Sequence, residues 1–423
     1  MIDRSSRVRT LLLLGSLLLH GAHLRAGEGS PASAPIRVAG VVTVYRHNSH
    51  ADVILSRLLQ TDTLDGKGRD SPLQLVSLYV DQRPKGDLSP MLAASHRFPI
   101  YDTIADALTL KTGKLAVDGL LIVAEHGDYP RSPTGNTQYP KRRFWDQVFA
   151  VFRSSDRVVP VFSDKHLADN WTDAHHIYAT AKAMHVPLMA GSSLPVTWRR
   201  PAADVRRGAK LREMVVLTYG SADAYGFHAL ELAQALAEQR AGGETGIAAV
   251  RCLKGDAVWQ AQKDRLFDPE LFQAAWDRLT IKRDNGRPLA EVVKEPLLFR
   301  IEYVDGLVTH VLELNGAIGE WAVAWRYDDS NAIESTQFWT QEGRPAMHFA
   351  YLLQGIEQMM LSGKPTWPAE RTLLTSGTLD ALLNSRAQGG KRLVTPHLHV
   401  PYQTDWRWHQ PPPPPPIRPW AEQ

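Results

Sequence analysis

Four short stretches of the chain concentrate residues able to do chemistry, and each accompanies an apolar run. The first is Thr43-Val-Tyr-Arg-His-Asn-Ser-His50. Arg46, Asn48, Ser49 and His50 can hold an anion by side chain, and the Arg46 fork matches a phosphate or carboxylate. The second, Glu125-His-Gly-Asp-Tyr129, turns tightly at Gly127 and continues as a polar insertion from Pro130 to Pro140. The third is Asp164-Lys-His166, and the fourth is Asp223-Ala-Tyr-Gly-Phe-His228. A lysine and a histidine brought to one cleft can take and return a proton, since imidazole titrates near neutrality. The plainer readings are a solvated lysine after a strand and a histidine opening a helix. Asp223 can orient His228 or serve as a loop or capping acid. His47, His50, Asp52, Glu125, His126, Asp128, His166 and His228 are also of types that ligate divalent ions. No close-spaced ligand motif joins them, so no metal site is expected. The geometric expectation is that Arg46, Glu125, Lys165 and His228 meet around one cleft.

Such a meeting needs a scaffold that ends several strands at one edge. Ile36 to Val44, Leu73 to Val80, Phe98 to Tyr101, Val117 to Ala124, Val158 to Phe162 and Pro187 to Ala190 read as buried strands. Helical spacing over Ala51 to Gln60, Met91 to Ser95, Ile104 to Leu110, Phe144 to Arg153 and Trp171 to His185 alternates with them. That alternation predicts an α/β fold with a doubly wound parallel sheet, whose ligands sit at the carboxyl ends of the strands. Beyond residue 195 the pattern changes to strands joined by hairpin signals such as Asp305-Gly306. This predicts a second, α+β domain with a mostly antiparallel sheet. Met347 to Leu361 and Thr372 to Arg386 read as its closing helices. The expected division is 36–195 and 196–400, followed by a Trp/Pro-rich tail at 401–423. Trp406 and Trp408 should pack on the body, and Pro411 to Pro416 reads as a polyproline spacer outside the fold. The single cysteine, Cys252, lies in a strand and reads as a packed core thiol.

This organisation resembles the Gfo/Idh/MocA family of glucose–fructose oxidoreductases and inositol dehydrogenases. Val159 to Ala168 is similar to the family's strand ending in Glu-Lys-Pro, with Asp164, Lys165 and His166 at those three places. Tyr225 to Glu231 is similar to its Gly-x-His-x-x-Asp helix start, with His228 and Glu231 matching. The helix, Ser-Gly-Lys-Pro365, helix order resembles the family's closing segment. The resemblance implies a Rossmann-like nucleotide-binding domain and NAD or NADP as cofactor. It implies Lys165 and His228 as the proton-handling pair, with Asp223 beside them. Cofactor contacts are expected from Thr43, Arg46, Ser49, His50, Glu125 and His126, and from Asp81 as the ribose-binding acid. Substrate contacts are expected from Asp128, Tyr129, Trp198, Arg199 and Tyr225. The departure is the nucleotide loop. The family pattern is Gly-x-Gly-x-x-Gly, whereas Val41 to Asp52 holds no glycine, and a Cβ on every residue obstructs close approach to a pyrophosphate.

Composition narrows the partners. A formal charge of +3 over 423 residues, with no dense basic block, argues against nucleic acid. Arg4, Arg7 and Arg9 before Leu11 to Leu19 read as a signal peptide over residues 1–26, with 27–35 a flexible lead-in. No integral span is expected in the mature chain, which should be exported to the periplasm or beyond. The expected function is a sugar or polyol oxidoreductase using a nicotinamide cofactor. The alternative is a non-redox relative, with or without the help of a metal, that has lost dinucleotide binding and binds a carbohydrate or anion. By the resemblance, copies associate through the outer face of the second sheet.

Overall fold

The computed structural model describes residues 34–414. The expected signal peptide, all but the end of the lead-in, and the last residues of the tail lie outside the described residues. The β-branched run Ile36–Val42 forms strand β1, buried along most of its length. It is followed by α1 (His50–Leu59), β2 (Leu73–Val80), α2 (Ser89–His96), β3 (Ile100–Tyr101) and α3 (Ile104–Thr109). Then come β4 (Gly119–Val123), α4 (Lys141–Ser155), β5 (Val161–Asp164), α5 (Trp171–Ala183) and β6 (Leu188–Gly191). The strands pair in parallel in the order β3-β2-β1-β4-β5-β6. The order reverses between β1 and β4, so the crevice for a ligand opens above those two strands. Thr43 spans it: its hydroxyl donates to the Glu125 carbonyl at 2.7 Å. Gly40 serves packing, because a Cβ there would meet Leu78 and Leu55 at 2.8 and 3.0 Å.

The second half runs β7 (Trp198–Arg200), β8 (Leu211–Thr218), α6 (Ala224–Ala237), β9 (Ile247–Lys254), α7 (Asp256–Lys263), α8 (Pro269–Arg278) and α9 (Leu289–Val292). It continues with β10 (Leu297–Tyr303), β11 (Val308–Glu313), β12 (Trp321–Tyr327), β13 (Ile333–Trp339), α10 (Met347–Ser362), α11 (Ala369–Ala387) and β14 (Leu393–Val394). Its eight strands lie in the order β14-β9-β10-β11-β8-β12-β13-β7, antiparallel except where β11 meets β8. Phe227, Leu230 and Ala233 of α6 and Leu382 of α11 pack on one face with Val216, Val250 and Phe299. Cys252 is buried there, as expected.

Three features depart from the sequence reading. First, α7, α8 and α9 fall in a stretch to which the sequence pattern assigned no element. Leu271, Phe272 and Ala275 of α8 cover the other face of the second sheet, against Val215, Leu217 and Ala324. The face by which association was expected is thus buried by the chain itself. Second, α10 packs on the first sheet: Phe349, Leu352 and Ile356 join Val38, Val42 and Leu121 in one core. Both sheets accordingly belong to one compact unit from Pro35 onward. Third, the start of the proline run belongs to the fold. Trp198 Nε1 donates to the Pro412 carbonyl at 2.6 Å and Trp408 Nε1 to the Thr197 carbonyl at 2.9 Å. Both indoles need partners when buried, and the tail meets that need.

Candidate active site

The carboxyl ends of β1, β4, β5 and β6 bring polar side chains together in one largely buried cluster. Glu125 follows β4, Lys165 and His166 follow β5, and Ser192 follows β6; His50 opens α1 and His228 lies in the first turns of α6. Lys165 and Glu125 are each buried, with Nζ 3.3 Å from Oε2. Lys141 Nζ lies 3.9 Å from Oε1 of the same carboxylate. It also donates to the carbonyls of Asp164, Lys165 and His166, and so fixes the turn that presents Lys165. The Lys165–His166 peptide bond is cis. Burial alone would raise the Glu125 pKa, but Lys165, His166 and Lys141 outweigh it and hold the carboxyl well below its ordinary range. Burial pulls Lys141 down to about 8 against the same carboxylate.

Three imidazoles line the opposite side. His50 Nδ1 lies 2.6 Å from Asp164 Oδ2. The His126 ring meets His50 edge-on at 5.1 Å, and the His228 ring lies 6.4 Å from His50. Ser192 Oγ contacts His228 Nδ1 at 2.5 Å. Burial first, then the charge of Lys165 and the neighbouring His50, pushes the His228 pKa well below its ordinary value, so its ring is neutral at pH 7. Tyr225 stacks on Trp321 at 5.6 Å and forms an aromatic wall beside His228.

His126 carries a testable consequence. Burial and the neighbouring His50 lower its pKa from 6.5 to about 4. Between those values the unfolded chain binds a proton that the folded chain refuses, so stability falls as pH drops from 6.5 towards 4. His126→Asn is expected to flatten that part of the curve, read as urea midpoints across the interval. An unchanged slope would show that the ring is solvated.

The structure therefore brings together Thr43, His50, Glu125, His126, Lys165 and His228, with Tyr225 at the wall. Other expected residues serve elsewhere. Asp223 does not reach His228: its carboxylate accepts from the Thr137 amide at 2.8 Å and lies 3.6 Å from His166 Nε2. Arg199 is fully buried, paired with Asp204 at 2.8 Å and stacked on Trp408 at 4.4 Å. It and Trp198 hold the tail rather than a ligand. Asp128 meets the Gln82 side chain through its backbone, at 2.8 Å for each bond. Glu231 is buried beneath Ser192 and bonded to Thr375 at 2.7 Å, a packing role. Lys141, Ser192 and Arg344 were not foreseen. A lysine before two arginines reads as a solvated helix start, and nothing local to residue 344 announces its partner. Among the described residues, no group of three or more His, Cys, Asp or Glu is arranged to hold a metal ion, and no helix is long and apolar enough to cross a membrane.

At the start of α1 and the end of β2 the polar side chains are already bonded to one another. At the start of α1, Ser49 Oγ accepts from the Asp52 amide at 3.4 Å and from the Arg46 amide at 3.2 Å. The buried Asp52 carboxylate accepts from the Asn48 amide at 2.9 Å, from Ser56 at 2.7 Å and from Arg344 at 2.5 Å. A phosphate there would face a carboxylate on a helix end already capped. Arg46 stays exposed at the rim. At the end of β2, Asp81 accepts from Tyr79 at 2.6 Å, Tyr129 at 2.8 Å and Arg143 at 2.6 Å. Burial would raise the Asp81 pKa, but these partners hold it below its ordinary value. These residues do not fit a pyrophosphate and a ribose in the manner the resemblance implies.

No family profile matches the chain, and no curated protein is similar to it in sequence. Solved structures do share its fold. GenD2 from gentamicin A biosynthesis, in complex with NAD, superposes with a TM-score of 0.55 at 16% identity, covering 87% of this chain and 99% of that one. Myo-inositol 2-dehydrogenase from Lactobacillus plantarum gives 0.51 at 11% identity, covering 85% and 99%. Apo scyllo-inositol dehydrogenase from Lactobacillus casei gives 0.52 at 10%, covering 85% and 98%. The architecture is that of the Gfo/Idh/MocA-type dehydrogenases: a Rossmann-like half with a mostly antiparallel second sheet.

Proposed function

We propose that the cleft binds a small sugar or polyol and moves protons on it without a dinucleotide, in a divergent relative of the Gfo/Idh/MocA enzymes. The observation that carries this reading is the buried Lys165–Glu125 pair facing a neutral His228. Lys165, held by Glu125, presents its ammonium to a substrate oxygen, and His228 supplies a hydrogen-bonding ring that is not already charged. The Tyr225–Trp321 wall suits the apolar face of a sugar ring. The inositol dehydrogenases that share the fold support the substrate class. A site that needs no diffusible dinucleotide also suits the exported location suggested by the leader-like N-terminus. The second reading, a nicotinamide-dependent oxidoreductase, is favoured by the NAD bound in the structure of GenD2.

Thermal shifts with inositols, aldoses and uronates on one side, and NAD(H) and NADP(H) on the other, separate the two. A ligand at a hundred times its Kd stabilises by about 2.7 kcal/mol, a shift of several degrees. The expected result is a shift with a polyol or sugar and none with any dinucleotide. With a turned-over substrate, Lys165→Arg should keep the ion pair yet lower kcat about 100-fold, because the wide planar guanidinium does not place its charge where the compact ammonium holds the substrate oxygen. Dinucleotide released from the denatured protein would establish the second reading, and the absence of any sugar shift would defeat the first.

A further inference from the structure

We propose that His50 is the general base of this cleft, positioned by Asp164, and that it serves a redox-neutral enolisation of a carbonyl-bearing sugar. The inference rests on the proposed function and names the proton acceptor and the substrate class.

The protonation pattern follows from the contacts. The Asp164 carboxylate is 1% exposed and offers only lone pairs to the His50 Nδ1 that it meets at 2.6 Å. A neutral imidazole here therefore carries its proton on Nδ1 and keeps its lone pair on Nε2. Nε2 has no hydrogen-bond partner among the described residues, yet the side chain keeps 14% of its surface open. Phe349 at 4.9 Å and His126 at 5.1 Å hold the ring from two sides. This is the arrangement of an oriented base, with carboxylate, imidazole and open lone pair in series. The ring reaches from the start of α1, beside β1, to the end of β5, and so crosses over β4. It lies across the crevice where this architecture lays a dinucleotide.

His228 has the complementary form. Ser192 Oγ accepts from the Leu194 amide at 3.1 Å, and in this proposal it gives its own proton to His228 Nδ1. His228 then carries its proton on Nε2. The two rings lie with centres 6.4 Å apart, and Lys165, bonded to the Glu125 carboxylate, adds a positive charge beside them. For a substrate with a carbonyl, the step balances without an oxidant. His50 Nε2 takes the proton from the carbon next to the carbonyl, and that C–H electron pair forms the enolate carbon–carbon double bond. The displaced carbonyl pair rests on oxygen, held by Lys165 and the His228 N–H. Return of the proton from His50 to the same carbon restores the starting sugar; when the neighbouring hydroxyl passes its proton to the enolate oxygen, return to the former carbonyl carbon gives the isomer.

The test is solvent deuterium exchange in D2O, followed by proton NMR on a panel of ketoses, aldoses and uronates. The wild-type protein should wash deuterium into the carbon beside the carbonyl of at least one of them. His50→Gln should slow this about 100-fold or more, while binding of the same sugar, read by thermal shift, persists. His47→Gln, whose ring is 57% exposed, should exchange like wild type. Asp164→Asn should slow exchange and move the His50 proton between ring nitrogens, seen by 15N NMR of histidine-labelled protein. Wild-type exchange in His50→Gln, or sugars that bind without exchanging, would overturn the proposal. So would a wild-type His50 protonated on Nε2, whatever the sugars do. Failure of every sugar to bind would instead strike the proposed function.

Discussion

Arg371→Leu is expected to lower stability by about 3–5 kcal/mol, the usual cost of orphaning one member of a buried ion pair. Arg371 on α11 donates through Nε to Glu238 at 2.9 Å, and both side chains are 0% exposed. Glu238 closes α6, so this pair ties the helix that carries His228 to the helix that follows α10. The guanidinium also lies 4.6 Å from the Trp406 ring, which fastens the tail to the same point. Removing the cation leaves a buried carboxylate with the Tyr402 hydroxyl, at 2.8 Å, as its remaining strong donor. Removing the charge from both sides should cost less: Arg371→Leu with Glu238→Leu is expected to recover part of the loss. Urea midpoints of the two single variants and the double variant measure this. A loss below about 1 kcal/mol for Arg371→Leu would mean that water reaches the pair.

Lys165→Met is expected to cost about 3 kcal/mol, at the lower end of the same range. Glu125 loses its nearest cation at 3.3 Å but keeps Lys141 at 3.9 Å and His166 at 3.5 Å. Glu125→Gln then removes the charge that Lys165→Met strands, so the double variant should be less damaged than the sum of the singles. The pH dependence has a definite sign. The folded pKa of Glu125 is depressed, so its contribution is complete above the ordinary carboxylate value and lost as pH falls through the folded value. Without Lys165 that folded value rises towards the ordinary one, so the loss of stability on the acid side should be smaller and should finish at higher pH. A strictly additive cycle with an unmoved acid limb would show that the two groups are not coupled.

Much of this was legible in the residue pattern. Leu73–Val80 is a strand at the boundaries its apolar run predicts, and the parallel order follows from the alternation of runs and helical spacing. Glu125, Lys165 and His228 were recognisable because each sits at the carboxyl end of a strand or the start of the following helix, where such folds place ligands. The failures share a physical cause, namely partners far away in sequence. Trp198 and Arg199 follow the first half as a hinge would, but they form an edge strand that the tail covers. Asp223 stands five residues before His228, about 140° round a helix at 100° per residue, so it turns towards His166 instead. Lys141 and Arg344 reach the site through contacts that no local pattern announces. For α8 a signal was present: Asp268 and Pro269 are a helix cap and first position, and Asp268 accepts from the Glu270 amide at 2.8 Å.

A crystal structure grown with the sugar or polyol of largest thermal shift, and with NAD in the same drop, confronts the central claim directly. The account predicts ligand oxygens beside Lys165 Nζ and His228 Nε2, a carbon facing His50 Nε2, and Asp52 still joined to Arg344. An NAD molecule lying along the start of α1, with Asp52 and His50 displaced from their present partners, would contradict it.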